Sequence, residues 1–132
     1  GQRKSLTVFG DDYPTADGSC VRDYIHVDDL ADAHIRALKH LISGKGEAGI
    51  KVNLGTGKGL SVLALAKLAE KVTGRKIPVE LGPRRWGDPA ELVADARLAK
   101  KVLGFTCKHS DPAHVLETTW AWFKTHPNGY RR

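Results

Sequence analysis

An apolar repeat between Leu30 and Leu41 constrains this chain more than any other feature. Leu30, Ala33, Ala37, Leu38 and Leu41 fall at i, i+3, i+7, i+8 and i+11, the period of a helix with one apolar face. Asp28 and Asp29 stand just before the repeat and are expected to supply its N-cap carboxylate. Ser43-Gly44 is expected to close it, with a loop from Gly46 to Gly49. Such a helix must lay its stripe on another layer, and the flanking residues point to a sheet. Leu6 to Phe9 alternates, is rich in β-formers and stops at Gly10. Asp11 to Ser19 is turn chemistry, with Pro14, Asp17 and Gly18. A second short strand is expected from Val21, and further strands over Ile50 to Leu54 and Ile77 to Leu81.

Three more helices follow from the same logic. Ser61 is expected to cap one whose apolar face is Val62, Leu65, Ala69 and Val72, ending at Gly74. Asp95 is expected to cap a short one carrying Leu98, Val102 and Leu103, ended by Gly104. Ser110 is expected to cap the last, with Pro112 in its first turn and Pro127 beyond its end. Val115, Leu116, Thr119, Trp120 and Phe123 would form its buried stripe. Strands and helices therefore alternate, which defines an α/β chain. The strands are too short for a self-sufficient doubly wound sheet, so the chain is expected to complete a sheet that lies elsewhere.

The 132 residues fit one domain of ordinary size. No apolar run is long enough to span a membrane, and no signal-peptide pattern opens the chain. The first residue is Gly1 and methionine is absent, which is what a fragment is expected to look like. The net charge of +6 comes from dispersed lysines and arginines, so a solvated basic surface is expected rather than a nucleic-acid site. Cys20 and Cys107 form neither a CxxC pair nor a metal spacing, and reduced thiols in a cytoplasmic protein are expected.

Val21 to Ala31 is the first stretch with binding chemistry. Arg22 and Tyr24 are two apart, so an extended strand would point both to one face and could offer them to an anion. Arg84-Arg85-Trp86-Gly87-Asp88 is the second: arginines fork onto phosphate oxygens and an aspartate accepts from ribose hydroxyls. Two separate arginine sites suit a diphosphate. The loop Gly55-Thr56-Gly57-Lys58-Gly59 imitates a dinucleotide or P-loop turn, but Leu60 stands where a third glycine is needed and Gly59 where a P-loop has Ser or Thr. A tight βα turn is the better reading. The six histidines show no clustering in sequence, and His26 is expected to be a structural hydrogen-bonder. No Tyr-x-x-x-Lys pair is present, since Tyr13 and Tyr24 are each followed four residues later by aspartate. The chain is expected to hold ligand-binding groups without catalytic machinery, metal ligands or cofactor ligands.

Several stretches resemble the UDP-glucose (UDP-galactose) 4-epimerase family of the extended short-chain dehydrogenase/reductases. They are Leu6 to Thr15, the run Arg22-Asp23-Tyr24-Ile25-His26-Val27, Asn53 to Gly57, the Arg84-Arg85-x-Gly87-Asp88 loop and the His126-Pro127-x-Gly129-Tyr130 ending. The resemblance covers essentially all of residues 1–132. It implies a C-terminal UDP-sugar-binding portion, about two-fifths of such an enzyme, joined to an N-terminal Rossmann-type NAD-binding domain. In the family, NAD takes a hydride from C4 of the UDP-sugar and returns it to the opposite face of a 4-keto intermediate. The resemblance implies that Arg22 and Arg85 clamp the diphosphate and that Tyr24 donates beside them. It further implies that Asp88 accepts from ribose, that Thr7 and Phe9 lie on the strand meeting uracil, and that Leu92 occupies the substrate-size gate. Trp86, where glutamate is familiar, and Cys20 depart from the pattern. The implied partners are the UDP-sugar, the chain's own N-terminal domain and a second copy in a homodimer, with no nucleic acid or membrane. The fragment alone is expected to be inactive. The alternatives are an epimerase of UDP-xylose/arabinose, UDP-uronate or UDP-N-acetylhexosamine, or a non-catalytic nucleotide-binding module.

Overall fold

β-branched and aromatic residues form strands here only where another strand is available to pair. The computed structural model describes residues 3–44 and 49–130. In chain order its elements are β1 (Leu6–Phe9), β2 (Val21–Arg22), α1 (Val27–Ile42), β3 (Leu60–Ser61), α2 (Val62–Thr73), β4 (Val79–Gly82), β5 (Glu91–Leu92), α3 (Arg97–Leu103) and α4 (Pro112–Thr125). β1 runs parallel to β4, with Leu6 opposite Val79 and Phe9 opposite Gly82. A second, three-stranded sheet has the order β3-β2-β5, antiparallel on one side of β2 and parallel on the other.

Three strand expectations change. The strand from Val21 is two residues long; just beyond it the Asp23 side chain accepts hydrogen bonds from the glycine loop. Ile50 to Leu54 pairs with no strand among the described residues. Its Ile50, Val52 and Leu54 instead pack on the core formed by Ala33, Ala99, Leu103 and Phe105. The Ile77–Leu81 run becomes β4 two residues later, since Pro78 has no N–H to pair; its carbonyl still accepts from Leu6 N at 2.8 Å. β5 was not anticipated.

The helix caps shift for more than one reason: Asp29 and Ser110 are used in tertiary contacts, whereas Asp28 is exposed and Asp95 pairs locally with Arg97. His26, not Asp28 or Asp29, caps α1, its Nδ1 accepting from Asp28 N at 3.0 Å. Asp29 is buried and accepts from Lys108 N at 2.9 Å, His109 N at 3.0 Å and Ser110 Oγ at 2.5 Å. Ser110 Oγ also accepts from His26 N at 2.8 Å, so Asp111 caps α4 in its place, accepting from Ala113 N and His114 N. Asp95 does accept from Arg97 N at 3.0 Å, but Ala96 occupies the cap position of α3. Ser61 caps α2 as expected, and Gly74 closes it at φ 66°.

The Asp29 network gathers three histidines that are scattered in sequence, correcting the expectation that none cluster. The rings of His26, His109 and His114 lie 5.5 to 6.1 Å apart. His26 is structural as expected, with Nε2 2.9 Å from Thr118 Oγ1. Among the described residues no group of histidine, cysteine and acidic side chains is arranged to hold a metal.

Two apolar stripes are less covered than their spacing implies. On α1 Ala33 is buried, but Leu38 and Leu41 are exposed, alongside Val27, Ile35 and Ile42. On α4 no side chain is fully buried, and Thr119 and Phe123 are exposed. α4 packs on α2, and one neighbouring helix covers only part of the stripe. Trp120 carries the Arg75 guanidinium 5.1 Å from its ring, and Trp122 stacks on His126 at 5.0 Å. No helix among the described residues is long and apolar enough to cross a membrane.

Candidate functional site

The β1–β4 pair builds one half of the site. Alternation along β1 buries Val8 and turns Thr7 and Phe9 to the other face. Gly82, opposite Phe9, leaves that face low: a Cβ there would meet Thr7 Cγ2 at 3.2 Å and the Phe9 ring at 3.5 Å. The guanidinium of Arg85 lies over the Phe9 ring at 3.9 Å, a cation–π contact that holds the charge near the strand end. The structure therefore brings together Thr7, Phe9 and Arg85.

β2 and β5 build the other half. Arg22 donates from Nη1 to the carbonyls of Val21 at 2.7 Å and Pro89 at 3.0 Å, and its Nη2 lies 3.4 Å from Asp88 Oδ1. Leu92 is opposite Arg22 in the parallel register and is 61% exposed. Both line a groove of about 660 Å³ with Asn53, Leu54 and Asp95. The Arg84–Pro89 loop links the halves: one end rests Arg85 on β1 and the other brings Asp88 and Pro89 to Arg22. Between them the Trp86 side chain is fully exposed.

Tyr24 stands apart from this pair of clusters. The strand ends at Arg22, and Tyr24 lines a separate cavity of about 480 Å³ with Thr56, Lys58, Leu60, Cys107 and Ser110. Burial pushes its phenol up, partly offset by the positive charge of Arg22.

Asp23 decides the character of the glycine loop. Its Oδ1 accepts from Thr56 N at 3.0 Å and Thr56 Oγ1 at 2.5 Å, and its Oδ2 from Gly57 N at 2.9 Å and Ala94 N at 3.3 Å. Burial alone would raise this carboxyl, but the hydrogen bonds from Thr56, Gly57 and Ala94 outweigh it and hold the group below the usual range. A Cβ on Gly55 would overlap Ala94 and Asp23. The loop is thus an anion nest filled by the chain's own carboxylate.

Sequence reasoning missed the roles of Asp12, Asp17 and Asp23. Asp17 left a trace, because it stands two residues before Ser19 and accepts from Ser19 N at 3.0 Å and Ser19 Oγ at 2.7 Å. Ser61 Oγ, on a distant segment, also donates to it at 2.5 Å. Asp12 and Asp23 meet partners 72 and 33 or more residues away, and no local pattern announces such pairs.

A family model described as NAD dependent epimerase/dehydratase family matches residues 1–55. The chain is 49% identical over 130 residues to a UDP-glucose 4-epimerase of Halalkalibacterium halodurans, covering 98% of this chain and 38% of that protein. It is 52% identical over 125 residues to one of Lactobacillus helveticus, covering 95% and 37%. A crystal structure of a UDP-glucose 4-epimerase superposes on all of the chain with a TM-score of 0.92 and 45% identity, using 40% of its own length. The Bifidobacterium longum UDP-glucose 4-epimerase, solved with NAD+ and UDP, superposes on 98% of the chain and 38% of its own at 0.89 and 42% identity. The chain spans about two-fifths of the length of the relatives it matches. The chain is thus similar along nearly every residue to UDP-glucose 4-epimerases, on the α/β fold of an extended short-chain dehydrogenase/reductase, and its first 55 residues match the NAD dependent epimerase/dehydratase family.

Proposed function

We propose that this chain is the C-terminal, UDP-sugar-binding portion of a UDP-glucose 4-epimerase, and that its task is to hold the UDP while the sugar is epimerised. One observation carries the reading: the Arg84–Pro89 loop sets Arg85 over Phe9 and Asp88 beside Arg22. Two guanidinium groups at the two ends of one loop can fork onto the two phosphates of a diphosphate. Thr7 and Phe9 flank the uracil side, Asp88 accepts from ribose, and Leu92 borders the sugar. Tyr24, lying in range of the Arg22 charge, donates to the diphosphate only if its ring leaves its present cavity. Holding the non-reacting nucleotide is what allows the sugar to be presented to the reacting groups.

NAD is the family's cofactor, and the described residues do not fit it. The one glycine loop that could cradle a pyrophosphate spends its amides on Asp23. NAD is held by the rest of the enzyme, and no redox step is assigned to this chain. The exposed stripe of α1 and the unpaired Ile50–Leu54 segment are the surfaces on which that N-terminal domain packs. The complete enzyme is a cytoplasmic homodimer that interconverts UDP-glucose and UDP-galactose.

The test is UDP affinity in the full-length enzyme. Arg85→Ala is expected to weaken UDP by about 1.5–3 kcal/mol, the worth of one charge-assisted contact. Unchanged affinity would remove Arg85 from the clamp. The exposure of Leu92 favours a second reading, in which UDP-N-acetylhexosamines, UDP-pentoses or UDP-uronates are turned over. A panel of UDP-sugars assayed on the full-length enzyme separates these, and turnover of none would favour a non-catalytic nucleotide-binding module.

A further inference from the structure

Arg84 and Arg85 are neighbours in a loop, yet they do different work. Arg85 reaches the site face of β1, while Arg84 is already engaged. Its Nε donates to Asp12 Oδ1 at 2.5 Å and its Nη2 donates to the Asp12 carbonyl. Its guanidinium carbon lies 4.2 Å from the centre of the Tyr13 ring. One edge and one face of the group are therefore in use, whereas the Arg85 guanidinium lies over the Phe9 ring, its side-chain partner among the described residues.

We propose that Arg84 is a positioning residue: with Asp12 and Tyr13 it forms a latch that fixes the Arg84–Pro89 loop, so that Arg85 and Asp88 are held ready for the nucleotide. The inference rests on the clamp reading and assigns Arg84 no contact with phosphate. The latch is anchored to the sheet. Tyr13 is buried and its N–H donates to the Gly18 carbonyl at 3.0 Å. Its ring packs on Gly10, at φ +83°, where a Cβ would overlap both Tyr13 and the Arg84 side chain. Gly10 N in turn donates to the Gly82 carbonyl at 2.9 Å, extending the β1–β4 ladder.

The remainder of the loop has few restraints of its own. Asp88 N donates to the Arg85 carbonyl at 3.3 Å, Gly87 sits at φ +83°, and Trp86 touches solvent on all sides. Without the latch, the segment between β4 and Pro89 keeps, among the described residues, the Arg85–Phe9 contact and the bonds from Arg22. The latch lies at the surface, with the Arg84 and Asp12 side chains 45% and 70% exposed. Removing either partner therefore leaves the core intact, and the variants are expected to fold.

A double-mutant cycle in the full-length enzyme tests this. Asp12→Ala and Arg84→Ala should each weaken UDP roughly threefold to tenfold, and the double variant should lose no more than either single one, as coupled residues do. KM for the UDP-sugar should rise with kcat little changed, the signature of lost uniform binding. Arg84→Lys should fail to restore affinity, because an ammonium cannot fork onto the Asp12 carboxylate and carbonyl. Losses that add, or an Asp12→Ala variant that binds UDP as well as the wild type while Arg84→Ala does not, would make Arg84 a direct ligand and overturn the proposal. Unchanged affinity in both single variants would overturn it too. Should Arg85→Ala leave UDP binding intact, the clamp reading fails by itself. Amide exchange at Gly87 and Asp88 in the unliganded enzyme then decides on the latch, which requires faster exchange in both variants and is refuted by unchanged rates.

Discussion

Carboxylates carry more of this structure than their number suggests, and they do so one residue at a time. Asp29 accepts three hydrogen bonds from the 108–110 segment, and burial, which would raise it, is outweighed by the hydrogen bonds from Ser110, Lys108 and His109, so the group sits below the usual range. Asp29→Ala would leave those donors unpaired inside the protein, and a loss of about 3 kcal/mol is expected in denaturant unfolding. Asp23, Asp17 and Asp29 are all lowered in the fold. A depressed folded pKa means stability that is full above the unfolded value of about 3.9 and is lost as pH falls through the folded value. The melting temperature is therefore expected to hold between pH 7 and about 5 and to drop below about 4. Asp23→Ala should flatten that drop, and a variant as acid-sensitive as the wild type would exclude Asp23 as a source. Asp23 and Asp29 were invisible in these roles because their partners are distant in the chain, whereas Asp17 also bonds Ser19 two residues on. Arg22 and Arg85 are expected phosphate ligands from the sequence because a guanidinium forks onto oxygens; the same chemistry ties their neighbour Arg84 to Asp12 instead.

At the scale of elements, the helices were easier to place than their ends. The positions of α1, α2, α3 and α4 follow from apolar spacing, because that spacing reflects a physical requirement to bury one face. Their caps do not follow as simply. Ser110 and Asp111 are equally good capping residues, and the choice fell to Asp111 only because Asp29 claims the Ser110 hydroxyl. Strands fared worse: β5 is two residues long and exists through pairing with β2, while Ile50 to Leu54 has the composition of a strand and no described partner. The exposed side of α1 gives this a consequence. If the N-terminal domain packs there, Ile42→Asp in the full-length enzyme should cost about 1–3 kcal/mol in stability. A change within about 0.5 kcal/mol, typical of a solvent-facing position, would place that domain elsewhere.

For the molecule as a whole, the proposed clamp makes the two arginines and the Arg84–Pro89 loop a nucleotide holder, with the chemistry left to the rest of the enzyme. On the same proposal, substrate range is set at its border. Leu92 is 61% exposed across from Arg22. Leu92→Gly is expected to raise kcat/KM for UDP-N-acetylglucosamine relative to UDP-glucose by roughly tenfold, the scale of a few methylene groups in a pocket. Equal ratios in both enzymes would take the gate away from this position. The central claim, that Arg22 and Arg85 grip a diphosphate, is tested most directly by calorimetric titration of UDP and of uridine into the full-length enzyme and its Arg22→Ala and Arg85→Ala variants. Each variant should lose roughly 10- to 150-fold in affinity for UDP and bind uridine as the wild type does. UDP affinity that survives both substitutions, or uridine affinity that falls in step with it, would contradict the clamp.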